Sequence, residues 1–184
     1  MISDKQLLDA VTTVNEGGLI VYPTESIYGL GCNPFDEKAV TNLLLLKKRS
    51  VDKGLILIAS HVQQILPLIK PIKANDLARA LKTWPGHHTW IFPKSKNVPF
   101  WISGKHDSIA VRVSNHPVVK QLCHKLNSAL VSTSANITSE ETMNSIEKLK
   151  KLFGNKIGYY FDAPLGKEAK PSIIHDAHSN TNIR

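Results

Sequence analysis

Leu7, Val11 and Val14 recur at helical spacing behind Ser3 and ahead of Gly17-Gly18. That pattern predicts a capped N-terminal helix with one apolar face. The unbroken apolar run LIVYPT (19–24) predicts a buried strand. DEKAVTNLLLLKK (36–48) reads as a helix with acids at its start and bases at its end, as the helix dipole prefers. GLILIAS (54–60) is a strand. VQQILPLI (62–69) and NDLARALKTW (75–84) look helical, the first interrupted by Pro67. HTWIFPK (88–94) and SIAVRVS (108–114) are strands, and KSKNVPFWISGKHD (94–107) between them reads as a surface excursion. HPVVKQLCHKLN (116–127) is a helix with Pro117 in its first turn. ALVSTSAN (129–136) is a strand running into a polar loop, and SIEKLKKLFG (145–154) a helix ended by Gly154. IGYYFDA (157–163) and PSIIHDA (171–177) are late strands.

Helices alternate with strands, so the class is α/β. No helix separates 88–94 from 108–114, which favours a mixed, partly antiparallel sheet over a strict parallel one. No repeat, low-complexity tract or boundary appears, and residues 1–184 read as a single domain.

Charge and cysteine usage narrow the class further. The chain carries 23 basic and 15 acidic residues, a net charge of +8, which suits a nucleic-acid or polyphosphate partner or a merely basic surface. Two lone cysteines with no CxxC argue against a zinc site and fit a reducing compartment. The N-terminus lacks a secretory pattern, and no run approaches a membrane span of about 20 apolar residues. The expectation is a cytoplasmic protein with no membrane partner.

The chemistry must lie outside the common phosphate loops, since GxxxxGK[ST], GxGxxG and GxSxG are all absent. His87 and His88 are adjacent and would point to opposite faces of a strand, which suits a loop or rim better than a shared metal. LKKRSVDKG (46–54) gathers Lys47, Lys48, Arg49 and Lys53 at a helix end. They are either solvated bases neutralising helix carbonyls or a phosphate clamp. In SIAVRVS, Ile109, Val111 and Val113 share one face and Ala110 and Arg112 the other. A buried arginine needs a carboxylate, either internal or from a substrate. VSTSAN aligns Ser132 and Ser134 on one strand face, with Asn136 in the loop beyond; a plain Ser/Asn turn is the alternative. VYPTESIYGLG (21–31) stops a strand at a proline and then offers Thr24 and Glu25.

Taken in order, YPTESIYGLGC, LKKRSVDKGLILI, WPGHHTWIFP, SIAVRVSNHP, LVSTSAN and the tail PSIIHDA…IR resemble the YrdC/TsaC family of threonylcarbamoyl-AMP synthases, in its short single-domain bacterial form. The resemblance implies a twisted open sheet with flanking helices and a positively charged concave face. It implies that L-threonine, bicarbonate and ATP give threonylcarbamoyl-adenylate and pyrophosphate. Downstream threonylcarbamoyl-transferase proteins would then modify adenosine 37 of tRNAs reading codons that start with A. The family's KxR…SxN signature falls on Lys47, Arg49, Ser134 and Asn136, implied to be catalytic around the ATP phosphates. Lys53 and Arg184 are implied nucleotide contacts. Thr24, Arg112, Ser132 and Ser172 are implied threonine contacts, with Arg112 on the carboxylate. Tyr22 and Tyr28 would supply walls, and Gly29 and Gly31 would let backbone approach a ligand. Mg²⁺ would be held mainly by the nucleotide phosphates, with no dedicated metal ligands. WPGHHT, with two histidines, and SANITSEE, without the usual glycine, depart from the family pattern.

Two other classes remain in view. A non-catalytic RNA-binding module in tRNA or ribosome maturation would use the same positive charge, and direct tRNA binding would then be more than weak. A carbamoyl-transfer domain of a larger hydrogenase-maturation enzyme would need a longer chain.

Overall fold

The computed structural model describes residues 2–70, 73–179 and 181–183. Its helices are α1 (Asp4–Asn15), α2 (Glu37–Leu46), α3 (Ala74–Leu81), α4 (Phe100–Ser103), α5 (Pro117–Leu126) and α6 (Ile146–Phe153). Its strands are β1 (Ile20–Pro23), β2 (Tyr28–Gly31), β3 (Ile56–Ala59), β4 (His88–Pro93), β5 (Ser108–Val113), β6 (Leu130–Ser134), β7 (Tyr159–Tyr160) and β8 (Ile173–Asp176).

The strands form one mixed sheet in the order β7-β1-β2-β6-β3-β5-β4-β8. β3 runs parallel to β5, β1 to β7 and β4 to β8; the other pairings are antiparallel. The twofold alternation of side chains divides the core between two faces. On one face Val21, Leu30, Leu57, Val111 and Val131 pack with α2 and α6. On the other, Ile20, Tyr22, Ile58 and Leu130 pack beneath α1 and α5, whose Leu7, Ala10, Val118 and Leu122 are buried there. Ser3 caps α1 in a capping box with Gln6, as its position suggested. Helices α1 and α5 cover only part of their face. Ile56, Ala110 and Ser132, which alternate with core residues on β3, β5 and β6, line an open cavity instead.

One strand was not foreseen, and three sequence expectations are corrected. YGLG is a strand, β2, paired in register with β1 and fully buried; its glycines hid it from any propensity argument. Residues 62–69 form two short 3₁₀ turns, Val62–Gln64 and Leu66–Leu68, because Pro67 cannot donate within a helix. The segment 94–107 is no surface excursion. It folds into α4, whose Ile102 and Ser103 are buried, and Leu55 N–H donates to Ile102 O. His88 is half-buried at the start of β4, hydrogen-bonded to His175 across 2.9 Å, so it is not a rim residue; His87 meets Lys170 O.

Candidate active site

The open part of the sheet holds a cavity of about 480 Å³. Its floor is apolar, with Ile56, Ile91, Ala110 and Ile174. Its polar wall comes from several elements: Thr24 after β1, Arg49 and Lys53 after α2, Arg112 on β5, Ser132 and Ser134 on β6, and Ser172 before β8. No aspartate or glutamate is among the described residues that line it. A space walled by Arg49, Lys53, Arg112 and hydroxyls, with no acid on its lining, favours an anionic ligand.

The turn 24–27 is closed by Ile27 O, which accepts from both the backbone N–H and the hydroxyl of Thr24. The Thr24 hydroxyl proton is thereby engaged, leaving its oxygen as an acceptor towards the cavity. The turn is pinned from outside as well: Gly166 N–H donates to Thr24 O, and Glu168 N–H to Glu25 O. A Cβ on Gly166 would run into the Glu25 backbone.

Helix α2 ends in a Schellman turn. Arg49 N–H reaches back to Leu44 O and Lys48 N–H to Leu45 O, with Lys48 in the left-handed region at φ 50°. That reversal sends Lys47 and Arg49 to different places. Lys47 is 2% exposed, and its ammonium donates to Ser134 O (2.5 Å), Asn136 O (2.6 Å) and Asn136 Oδ1 (3.2 Å). Burial, helped by the charge of Arg49, lowers its pKa from 10.5 to about 8. The solvated-base reading therefore fails for Lys47. The lysine stands behind the cavity wall and ties α2 to the end of β6. Asn136 stands there with it, accepting from the Ser134 hydroxyl at 2.6 Å and donating to Glu140 O. Arg49 turns towards the cavity. It donates to Gly54 O at 2.8 Å, its buried Nε has no partner, and burial lowers its pKa. Lys53 is exposed at the mouth.

Arg112 is 7% exposed, and its carboxylate partner is internal: Glu25 Oε2 forms an ion pair with Nη2. Its Nε donates to Gly86 O at 3.2 Å, while the residue still borders the cavity. Of the two sources of carboxylate left open by the sequence, the internal one is present. Burial works to raise the Glu25 pKa, but the charge and hydrogen bonds of Arg112, with that of Ser114, outweigh it and hold the carboxyl below its ordinary value.

Ser172 is buried and within 2.9 Å of the Thr89 hydroxyl, and both border the cavity. Thr89 was not picked out from the sequence. The signal was available, because Thr89 alternates with the core residues Trp90 and Phe92 on β4. His106 and Thr142, also at the cavity, carry no comparable pattern. Arg184 lies outside the described residues. Tyr22 and Tyr28 are not ligand walls. Tyr22 is fully buried with its hydroxyl on Val131 O, and Tyr28 donates to Ala163 O. Gly31 is required by the tyrosine, since a Cβ would strike the Tyr22 ring and Val131 O; Gly29 does border the cavity.

Residues 12–184 match the Sua5/YciO/YrdC family profile, described as "Telomere recombination". A threonylcarbamoyl-AMP synthase of Coxiella burnetii (strain RSA 493) is 48% identical over 176 residues, covering 96% of this chain and 95% of the relative. Among solved structures, P. abyssi Sua5 complexed with L-threonine superposes with a TM-score of 0.90 at 31% identity, covering 96% of this chain. The chain spans about half, 52%, of that longer protein. E. coli YciO superposes with a TM-score of 0.82 at 26% identity, covering 95% of this chain and 84% of its own.

Proposed function

The chain belongs to the Sua5/YciO/YrdC family, and we propose that within it the protein is a threonylcarbamoyl-AMP synthase. It condenses L-threonine, bicarbonate and ATP into threonylcarbamoyl-adenylate and pyrophosphate. The observation that carries this reading is the acid-free cavity, with Arg112 among hydroxyls on one side and Arg49 with Lys53 on the other.

The residues divide the work as follows. Arg112 receives the threonine carboxylate. Thr24, whose hydroxyl proton is engaged by Ile27 O, accepts from the substrate's amine or hydroxyl. Ser132 and Ser172 complete that side. Threonine's amine attacks the bicarbonate carbon and water leaves as the carbamate forms; a carbamate oxygen then attacks the α-phosphorus while pyrophosphate leaves. Such a step needs alignment and positive charge more than a protein nucleophile. Arg49, with its free Nε, and Lys53 supply the charge. Ser134 faces the cavity, while Lys47 and Asn136 hold its strand end in place. Mg²⁺ fits as the counter-ion of the triphosphate rather than as a ligand of the protein, because the described lining offers no carboxylate.

Handing the adenylate to threonylcarbamoyl-transferring proteins that act on tRNA puts the work in the cytoplasm. Among the described residues no helix is long and apolar enough to cross a membrane. A pure RNA-binding role has less support, since the polar groups converge inside a cavity rather than along a surface. The test is product analysis by mass spectrometry. Pyrophosphate release is expected only with threonine, bicarbonate and ATP together. Release that persists without threonine or bicarbonate overturns the assignment.

A further inference from the structure

Glu25 has no place in the reaction so far, yet its side chain is among the most heavily engaged near the cavity. It is 8% exposed. Its Oε1 accepts from the Ser114 hydroxyl at 2.8 Å and from Asn115 N–H at 3.1 Å. Its Oε2 faces Arg112 Nη2. The carboxylate thus joins the β1–β2 turn to the end of β5. Its backbone is held by Glu168 N–H, and the neighbouring Thr24 O by Gly166 N–H. Glu25 does not itself line the cavity, whereas Thr24, Ser26 and Arg112 around it do.

The guanidinium of Arg112 is therefore held at two of its three nitrogens, by Gly86 O at Nε and by the charge of Glu25 at Nη2. Among the described residues no hydrogen bond runs from Nη1 to another protein group. A flexible arginine would lose side-chain freedom each time it gathered a carboxylate; one already clamped does not. Glu25 also compensates the buried charge of Arg112, which would otherwise be expensive to keep desolvated.

We propose that Glu25 is a positioning residue for amino-acid binding: it orients Arg112 so that the N–H donors left at the Nη1 end of the guanidinium donate to the substrate α-carboxylate. The proposal rests on the threonine side of the reading above and adds a residue that touches no substrate. Its effect is confined to the amino-acid half of the cavity, because among the described residues no hydrogen bond or ion pair joins Glu25 to Arg49 or Lys53.

The test is the isosteric variant Glu25→Gln. Its amide oxygen can keep the bonds from Ser114 and Asn115, while its NH₂ meets Arg112 donor to donor. At metal sites, outer partners that orient a binding group are worth about 10–100-fold in affinity, and the same order is expected here. Glu25→Gln should raise KM for L-threonine at least about tenfold and leave KM for ATP and kcat nearly unchanged. Ser114→Ala removes a contact of the other carboxylate oxygen and should leave threonine affinity near wild type. Calorimetric titration of folded protein with L-threonine, L-serine and L-valine reads the same loss without turnover. It stays informative even if the proteins prove to form no adenylate, an outcome that would count against the proposed reaction alone. Glu25→Gln protein that binds amino acids as wild type does, or equal rises in KM for threonine and ATP, would overturn the proposal. So would wild-type protein that binds none of the three amino acids.

Discussion

Replacing Lys47 by alanine should destabilise the protein, whereas replacing Arg49, two residues on, should disable it with little loss of stability. For Lys47 the magnitude has three parts. Truncating a buried stem costs about 2–5 kcal/mol, as for other long side chains cut to alanine. Three acceptors, on Ser134 and Asn136, lose their donor, at about 1 kcal/mol each. Against this, the ammonium is strained by burial. The fall of its pKa from 10.5 to about 8 corresponds to roughly 3 kcal/mol returned when the charge is removed. The net is a loss of about 2–5 kcal/mol. Arg49 gives up one hydrogen bond, to Gly54 O, and an unpaired half-buried charge, so its alanine variant should lie within about 1 kcal/mol of wild type. Its turnover should fall by about 10²–10³, as when one donor to transition-state charge is lost. Arg49→Lys should restore only part, because the two-pronged geometry is gone. Urea titrations at pH 7 and pyrophosphate release at saturating substrates read the two quantities separately. An unchanged urea midpoint for Lys47→Ala would refute the anchoring role. A folded Arg49→Ala enzyme with normal turnover would refute the phosphate role.

Arg112→Ala should weaken threonine binding and also cost about 3–5 kcal/mol, because it strands buried Glu25. The folded-state pKa of Glu25 lies below its unfolded value of 4.5, so its stabilisation is present above that pH and is lost as pH falls through the folded value. Acid titrations should show that loss in wild type and a smaller one in Arg112→Ala; identical acid limbs would contradict the ion pair. Lys48→Gly relieves a left-handed lysine at the Schellman turn and should raise stability by about 0.5–1 kcal/mol without loss of turnover, checked by thermal melts. Any tRNA retention should be weak and fall steeply between about 50 and 200 mM salt, since it rests on counter-ion release; salt-insensitive binding would point to base-specific contacts.

Much of this arrangement was legible in the chain. Alternation placed Ala110 and Arg112 on the face opposite Ile109 and Val111, and Ser132 with Ser134 on a common face, and these residues do meet at the cavity. What spacing could not show is direction after an irregular turn. Lys47 and Arg49 read as a pair, yet the left-handed Lys48 sends one inward and one into the cavity. Nor could it identify the partner of Arg112, because Glu25 comes from a turn 87 residues earlier in the chain and only the sheet order brings it near. Strand β2 escaped notice because its glycines answer to the ring of Tyr22, a packing demand that appears only once β1 and β2 are paired.

The sheet order also bears on how the protein is born. Strand β2 waits for β6, with Leu30 opposite Thr133, and the cavity needs both Thr24 near the start and Ser172 near the end. A ribosome adding about 5–20 residues per second would expose the first hairpin for roughly 5–20 s before its neighbour emerged. Until then Leu30 and its tyrosine-rich surroundings lack a cover on one edge, which is the period in which a nascent chain most needs a chaperone. No product that stops short of Ser172 carries the whole polar wall of the cavity, so ligand binding has to wait for that segment.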